Sequence, residues 1–211
     1  RHREEKDMTG YLLVDTSGSM AYRSGGVETK LVRAAKIASA LAYLMHRQGD
    51  KSALALFHTE LEGYLPPGGT KRHLFDLVSR LETSLQDFSG RTHAHSAVDL
   101  CVPLFKKKGC LILISDFMTD LDLLFDSLAQ FQHRRYKILL LHVMDPHERD
   151  LPDVSLARFL DLETKETIQV APDEIRRAYV EETDRIMNRL KDESVRRGIH
   201  YQLLDPSDPY R

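Results

Sequence analysis

The stretch YLLVDTSGSM, residues 11–20, passes from an apolar run into a loop of acid and hydroxyl side chains. Four apolar residues in succession are typical of a central parallel strand, which is covered on both faces. Asp15 ends this run, and Ser17 and Ser19 follow it around Gly18. Ligands of an open parallel sheet bind beyond the carboxyl ends of its strands. The stretch therefore predicts a parallel sheet with a binding loop at its edge.

Short apolar runs alternate with helical patterns along the rest of the chain, as in sheets built from strand–helix–strand units. Strands are predicted at residues 11–14, 52–57, 110–115, 136–143 and 199–204, with 61–65 as a short antiparallel edge strand before Pro66. Helices are predicted at residues 28–48, 73–81, 121–131 and 173–197, and within 93–105 up to about Pro103. Gly49 and Gly198 lie where the first and last of these helices should end.

Residues 158–170 alternate about a polar turn, which predicts a small β-hairpin. The fold class is therefore predicted to be α/β, with a doubly wound, mostly parallel central sheet and helices on both faces. We expect a single domain spanning residues 1–211. The chain begins with Arg rather than Met, so we also expect it to be a fragment that lacks an upstream segment.

Composition narrows the classes of partner. The 30 Lys and Arg residues nearly balance the 32 Asp and Glu residues, which gives no reason to expect nucleic acid. No window approaches the roughly 20 apolar residues of a membrane span, so we predict no membrane insertion by this chain. The two cysteines, Cys101 and Cys110, lie in or beside apolar runs, which favours reduced thiols and a cytoplasmic location.

A second apolar strand, CLILIS, also ends at a carboxylate, Asp116. If the two strands are neighbours, Asp15 and Asp116 share one crevice, where their repulsion favours a bound cation or a raised pKa. Carboxylate, alcohol and water oxygens suit a hard ion such as Mg²⁺, with Mn²⁺ or Ca²⁺ as alternatives. Because neutral hydroxyls leave such an ion under-neutralised, an open coordination position would attract a carboxylate from a protein partner.

These segments resemble a known metal site. DTSGSM resembles the D-x-S-x-S element of the metal-ion-dependent adhesion site in von Willebrand factor A domains, SGRTHAHSAV resembles its threonine loop, and LISD its second-aspartate loop. The resemblance covers nearly the whole chain and implies the doubly wound fold of that family. It also implies that one divalent cation is held by Asp15, Ser17, Ser19, Thr92 and Asp116.

A closer resemblance is to a bacterial branch, the domain of unknown function 58 family, often found beside MoxR-type AAA+ ATPases. The segments that carry it are KDMTGYLLVDTSGSM, LAYLMHRQGDKSALALF, LISDF and HVMDPHERDLPD. The chain departs from that pattern because most of the upstream segment is missing and His93 stands where an acidic residue is frequent. The resemblance implies a non-enzymatic cytoplasmic adaptor that helps a MoxR-type ATPase to assemble or remodel protein complexes.

Blander interpretations of the same residues stay open. D-x-S-x-S alone could merely turn the chain and cap a helix, although the joint order of three loops favours a metal site. A transition-metal cluster of His93, His95 and Asp99 is disfavoured, because helix positions two apart point in different directions. His142 lies within an apolar strand and is predicted to be a hydrogen-bonded core or sheet-face residue.

The rival function is a Mg²⁺- or Mn²⁺-dependent hydrolase of an anionic, phosphorylated substrate, for which the sequence names no general base. A dehalogenase-type phosphatase would need an aspartate at the position that Ser17 occupies. The glycine-rich nucleotide loops and the G-x-S-x-G elbow are absent from the sequence. A third possibility is a vestigial site, with binding through another face.

Overall fold

The computed structural model describes residues 8–23, 28–86, 93–149, 157–160, 167–170 and 172–204, and it confirms the predicted α/β fold. The strands are β1 Thr9–Asp15, β2 Lys51–Phe57, β3 Leu61–Gly68, β4 Cys110–Ser115, β5 Lys137–Val143, β6 Ala157–Leu160, β7 Thr167–Val170 and β8 His200–Leu204. The α-helices are α1 Lys30–Gln48, α2 Lys71–Ser84, α3 Ala94–Cys101, α4 Leu121–His133, α5 Pro146–Arg149 and α6 Pro172–Arg196.

Six of these strands form one sheet in the order β3-β2-β1-β4-β5-β8. Every pairing in it is parallel except β2 with β3. The chain passes from β1 to β2 on one side and from β4 to β5 on the other, so the strand order reverses between β1 and β4. Such a reversal opens a crevice at the carboxyl ends of the two strands. Val14 pairs with Ile114, which places Asp15 and Ser115 side by side at that crevice.

Strand β1 is buried on both faces, as its run of apolar residues predicted. Tyr11 and Leu13 pack into a core with α3, α4 and Leu190 of α6. Leu12 and Val14 pack into a second core, with α1 and α2. Helices therefore cover both faces of the sheet, and β1 is held at its centre.

The antiparallel edge strand is longer than predicted. It was expected to stop before Pro66, yet β3 runs on through Pro66 and Pro67 to Gly68. The register with β2 shifts between Leu65 and Gly68, so both prolines lie in a bulge of the ladder. Proline lacks an N–H donor and is tolerated at bulges and on edge strands, and both conditions hold here.

The remaining elements follow the predicted pattern with small changes at their ends. Helix α1 begins at Lys30, because the Thr29 side chain accepts a hydrogen bond from Val32 N at 3.1 Å and caps it. Gly49 and Gly198 adopt positive φ after α1 and α6, as predicted. The predicted hairpin is confirmed as the pair β6–β7. A 3₁₀ turn, Gly18–Ala21, and the short helix α5 were not predicted.

Two further predictions concern the cysteines and the membrane. Cys101 and Cys110 are both free thiols. None of the helices in the described part of the chain has the length and apolar character that a membrane span requires.

Candidate metal centre

The carboxylate of Asp15 is fixed by two donors at the end of β1. Asp15 is fully buried. Its Oδ1 accepts a hydrogen bond from the backbone N–H of Ser17 at 2.9 Å, and its Oδ2 accepts one from the Ser115 hydroxyl at 2.6 Å. Ser115 ends the neighbouring strand β4, so the parallel pairing of the two strands determines the position of this carboxylate. Sequence reasoning missed Ser115, because a hydroxyl before Asp116 resembles no known ligand position.

The two loop serines lie beside the carboxylates of Asp15 and Asp116. The hydroxyl oxygens of Ser17 and Ser19 lie 3.1 Å apart and are buried. The Ser17 side chain also acts to lower the pKa of Asp15, and the Ser19 side chain acts to lower the pKa of Asp116. The Ser17 side chain does not cap the 3₁₀ turn that follows it. The hydroxyls of both serines therefore lie beside the two carboxylates, an arrangement that simple turn and capping roles do not require.

Thr16, between the predicted ligands, ties the loop to the next strand. Its backbone N–H donates to Phe57 O at 2.7 Å, at the end of β2. Its hydroxyl lies 2.9 Å from the same carbonyl oxygen and 2.6 Å from Glu62 Oε2. These contacts hold the loop against the sheet edge, so the side chains of Ser17 and Ser19 face the crevice from a fixed backbone.

The backbone turns sharply after Asp116. Phe117 has a φ of 54°, a left-handed conformation that bulky residues rarely adopt. Its side chain is buried in the core, and its N–H donates to Ser115 Oγ at 2.9 Å. The N–H of Met118 then donates to Asp116 Oδ1 at 3.2 Å. Packing and these hydrogen bonds hold the strained turn, and such strain is common at functional sites.

A buried lysine joins the same site from another element. Lys30, the first residue of α1, places its Nζ 2.8 Å from Asp116 Oδ2 and 2.5 Å from Glu148 Oε1. Its side chain and that of Asp116 are each only 2% exposed. The other oxygen of Glu148 accepts a hydrogen bond from Asp145 N at 3.1 Å. The ammonium therefore bridges the loop after β4 and the short helix α5.

The sequence contains one signal that could have revealed this lysine. The N-terminus of a helix carries a partial positive charge, so a cation at its first position is unfavourable without an acidic partner. Lys30 occupies that position directly after the capping residue Thr29. The partners, Asp116 and Glu148, are remote in sequence, so the signal indicates a carboxylate but does not identify it.

The pKa values of the two aspartates shift in opposite directions. Burial and the charge of Asp116 raise the pKa of Asp15 to about 7. Burial acts upward on Asp116 as well, but the Lys30 ammonium outweighs it, and the pKa of Asp116 falls below its ordinary value. Among the described residues, the negative charge on Asp15 is thus stabilised by hydroxyl and N–H partners.

The donor set suits a hard divalent cation. Two carboxylates and two hydroxyls converge, all of them oxygen donors of the kind that Mg²⁺, Mn²⁺ and Ca²⁺ accept. Burial, and next the charge of Asp116, raises the pKa of Asp15, and a cation bound there would stabilise its ionised form. In the described part of the chain, no group of three His, Cys, Asp or Glu side chains is placed to hold a metal. A cation at this site would therefore depend on Ser17 and Ser19.

The other predicted residues have mixed outcomes. Thr92 lies outside the described residues, so its proposed role stays a prediction. His93, the next residue, donates its backbone N–H to His58 O at 3.1 Å, just beyond β2.

The disfavoured transition-metal cluster of His93, His95 and Asp99 has a competing contact. The Asp99 carboxylate accepts a hydrogen bond from Gln130 at 2.7 Å. His142 is buried and its Nδ1 lies 2.9 Å from the Tyr201 hydroxyl, as predicted for a core histidine.

Comparison with known proteins adds a family and a fold. Residues 1–189 match the model of the family described as "Protein of unknown function DUF58". An aerotolerance-related membrane protein from Bacteroides fragilis, with multiple mutations to serines, has a TM-score of 0.63 at 16% identity, over 95% of this chain and 93% of its own. The conserved hypothetical protein BatB from Bacteroides thetaiotaomicron has the same TM-score and identity, over 95% and 92%.

No curated protein shows significant sequence similarity to the chain. At 16% identity, the two structural matches bear on the fold alone. They extend over nearly the full length of both chains and agree with the α/β fold described above.

Proposed function

The chain belongs to the DUF58 family, and on this premise we propose that it is a divalent-cation-dependent protein-interaction module. The observation that carries the proposal is the clustering of the Asp15, Ser17, Ser19 and Asp116 side chains at one crevice, where the two serine hydroxyl oxygens lie 3.1 Å apart. Mg²⁺ is the expected ion, and Mn²⁺ or Ca²⁺ could replace it in vitro.

Each residue has a distinct role in this proposal. Ser17 and Ser19 would bind the ion through their hydroxyls, and Asp15 and Asp116 would supply the balancing charge, directly or through water. Thr92 would join or leave this set of ligands as a partner binds. Because the serine ligands are neutral hydroxyls, the ion would keep part of its positive charge. This charge would attract an acidic side chain of the partner.

The cellular setting is part of the proposal. The resemblance to a branch found beside MoxR-type AAA+ ATPases leads us to propose an adaptor that works with such an ATPase in assembling or remodelling protein complexes. The cytoplasmic location stays a prediction, because one of the two structural neighbours is described as a membrane protein.

The first experiment measures cation binding. Isothermal titration with MgCl₂ and MnCl₂ should show one site in the wild-type protein and none in Asp15→Ala with its circular dichroism unchanged. Asp122→Ala is the matched control, because Asp122 is an exposed carboxylate that pairs with Arg189 on the surface. Equal binding by wild type and Asp15→Ala would contradict the site.

The second experiment separates binding from catalysis. The purified MoxR-type ATPase of the same organism should be retained by the wild-type protein with Mg²⁺, and released by chelator or by the Asp15→Ala substitution. The same preparations are assayed on generic phosphate esters with Mg²⁺ or Mn²⁺. Turnover by the wild-type protein that the Asp15→Ala substitution abolishes would contradict the interaction module and support the rival hydrolase.

A further inference from the structure

A fixed positive charge lies within the candidate metal centre. The Lys30 ammonium contacts Asp116 Oδ2 at 2.8 Å and Glu148 Oε1 at 2.5 Å, and the ring centroid of Tyr22 is 6.0 Å away. Burial alone would lower the pKa of Lys30, but Asp116 and Glu148 reverse that effect and raise it above its ordinary value. The side chain therefore stays charged across the physiological range.

Burying the Lys30 ammonium at this position costs free energy. A buried ammonium loses its hydration, and a helix N-terminus opposes it further. Both of its carboxylate partners are held independently, since Asp116 Oδ1 accepts from Met118 N and Glu148 Oε2 accepts from Asp145 N. The ammonium is thus positioned between two oriented carboxylates, one of which is a proposed metal ligand.

We propose that Lys30 is an internal counter-ion that shares Asp116 with the bound cation and sets the affinity of the site, an inference that rests on the proposed function. Like charges repel strongly in a buried crevice, so the ammonium weakens the binding of a divalent ion. It also neutralises Asp116 while the site holds no ion. A site of moderate affinity results, in which a partner's carboxylate adds the missing negative charge and stabilises the ion.

Glu148 has a defined part in this arrangement. When Asp116 is engaged by a cation, Glu148 is the remaining acidic partner of Lys30 among the described contacts of its ammonium. Glu148 therefore attracts the Lys30 ammonium away from the metal and towards α5. Removing its charge should leave Lys30 on Asp116 and weaken cation binding further. Lys30 and Glu148 are positioning residues, because they act through Asp116.

The test is isothermal titration of MnCl₂ into Lys30→Met, Glu148→Gln, the double variant and wild type, with the fold of each checked by circular dichroism. Lys30→Met should bind Mn²⁺ about tenfold more tightly, and Glu148→Gln about threefold more weakly. In the Lys30→Met background, the Glu148→Gln effect should largely vanish. Lys36→Met is the matched control on the same helix, because Lys36 is 69% exposed and pairs with Glu28; its affinity should stay within about twofold of wild type.

The outcomes separate the two proposals. If wild type binds Mn²⁺ and Lys30→Met binds it no more tightly, the counter-ion role is wrong and the proposed function stands. If no variant binds Mn²⁺ at millimolar concentration, the proposed function fails and the counter-ion role fails with it. Should Lys30→Met not fold, Lys30→Gln replaces it, since it keeps a hydrogen-bond donor without the charge. A purely structural lysine would change stability but not raise cation affinity.

Discussion

Asp15 and Asp116 occupy equivalent places in the fold but differ in charge behaviour. Each lies at the carboxyl end of one of two adjacent parallel strands, and their exposed fractions are 0% and 6%. Burial raises the pKa of Asp15 to about 7, whereas the pKa of Asp116 lies below its ordinary value. Equal burial at one sheet edge therefore does not produce equal protonation.

The difference comes from a third element. Asp15 is bound by the Ser115 hydroxyl and the Ser17 N–H, both neutral donors. Asp116 is bound by the ammonium of Lys30, which α1 places in the crevice. The topology of the sheet thus determines where the two carboxylates lie, while a side chain from a neighbouring helix determines which of them keeps its charge without a cation.

The largest effect is expected when the charged pair is broken. Asp116→Asn leaves the buried Lys30 ammonium with Glu148 alone, and should lower the free energy of unfolding by about 3 kcal/mol. Urea denaturation in the presence of chelator measures this change. The same substitution at the exposed Asp122 should cost no more than about 0.5 kcal/mol. A stable Asp116→Asn protein would mean that Lys30 gains little from its contact with Asp116.

The same substitution at Asp15 should change the free energy of unfolding in the opposite direction. Asp15→Asn removes a charge that the fold disfavours, so at about pH 8 without cation it should raise the free energy of unfolding by about 2 kcal/mol. It should also abolish the stabilisation that Mg²⁺ gives to wild type.

The pH dependence of that gain follows from the direction of the pKa shift. With the pKa of Asp15 raised from 3.8 to about 7, the native state keeps its proton between these values while the unfolded chain has lost it. Wild-type stability relative to Asp15→Asn therefore falls as pH rises through this window, and the difference is constant above it. A difference that does not vary with pH would show that Asp15 is ionised throughout.

Much of the fold could be predicted from local patterns. The run YLLV indicated a strand buried on both faces, and β1 has a core on each side. The end of the edge strand was misjudged at Pro66, because the sequence does not show that a bulge and a free strand edge accommodate two prolines. Proline was interpreted as a stop signal where the tertiary context removes its cost.

The candidate site also has residues that the sequence predicted and residues that it did not. Asp15, Ser17 and Ser19 are close in sequence, so one motif predicted their meeting, and Asp116 followed from a second strand end. Lys30 and Glu148 were missed because their contacts join positions 86 and 118 residues apart. Ionic contacts over such separations depend on how helices pack on the sheet, which no local pattern specifies.

The smallest expected effect tests the neutral side of the comparison. Ser115→Ala removes the hydrogen bond at 2.6 Å to Asp15 Oδ2 and an acceptor for Phe117 N, and should cost about 1 kcal/mol of stability. Because the Ser115 hydroxyl lowers the pKa of Asp15, its loss should raise that pKa further above about 7. Less of Asp15 is then ionised at neutral pH, so Mn²⁺ affinity should fall about threefold near pH 7 and recover at higher pH.

Titration of MnCl₂ at two pH values measures this recovery, with Ser84→Ala as the control. Ser84 donates to Leu81 O at the end of α2, a hydrogen bond within one helix that contacts none of the proposed ligands. Ser84→Ala should bind Mn²⁺ as wild type does at both pH values. An affinity loss in Ser115→Ala that persists at high pH would mean that the hydroxyl orients Asp15 instead of stabilising its charge, and the contrast with Asp116 would then rest on Lys30 alone.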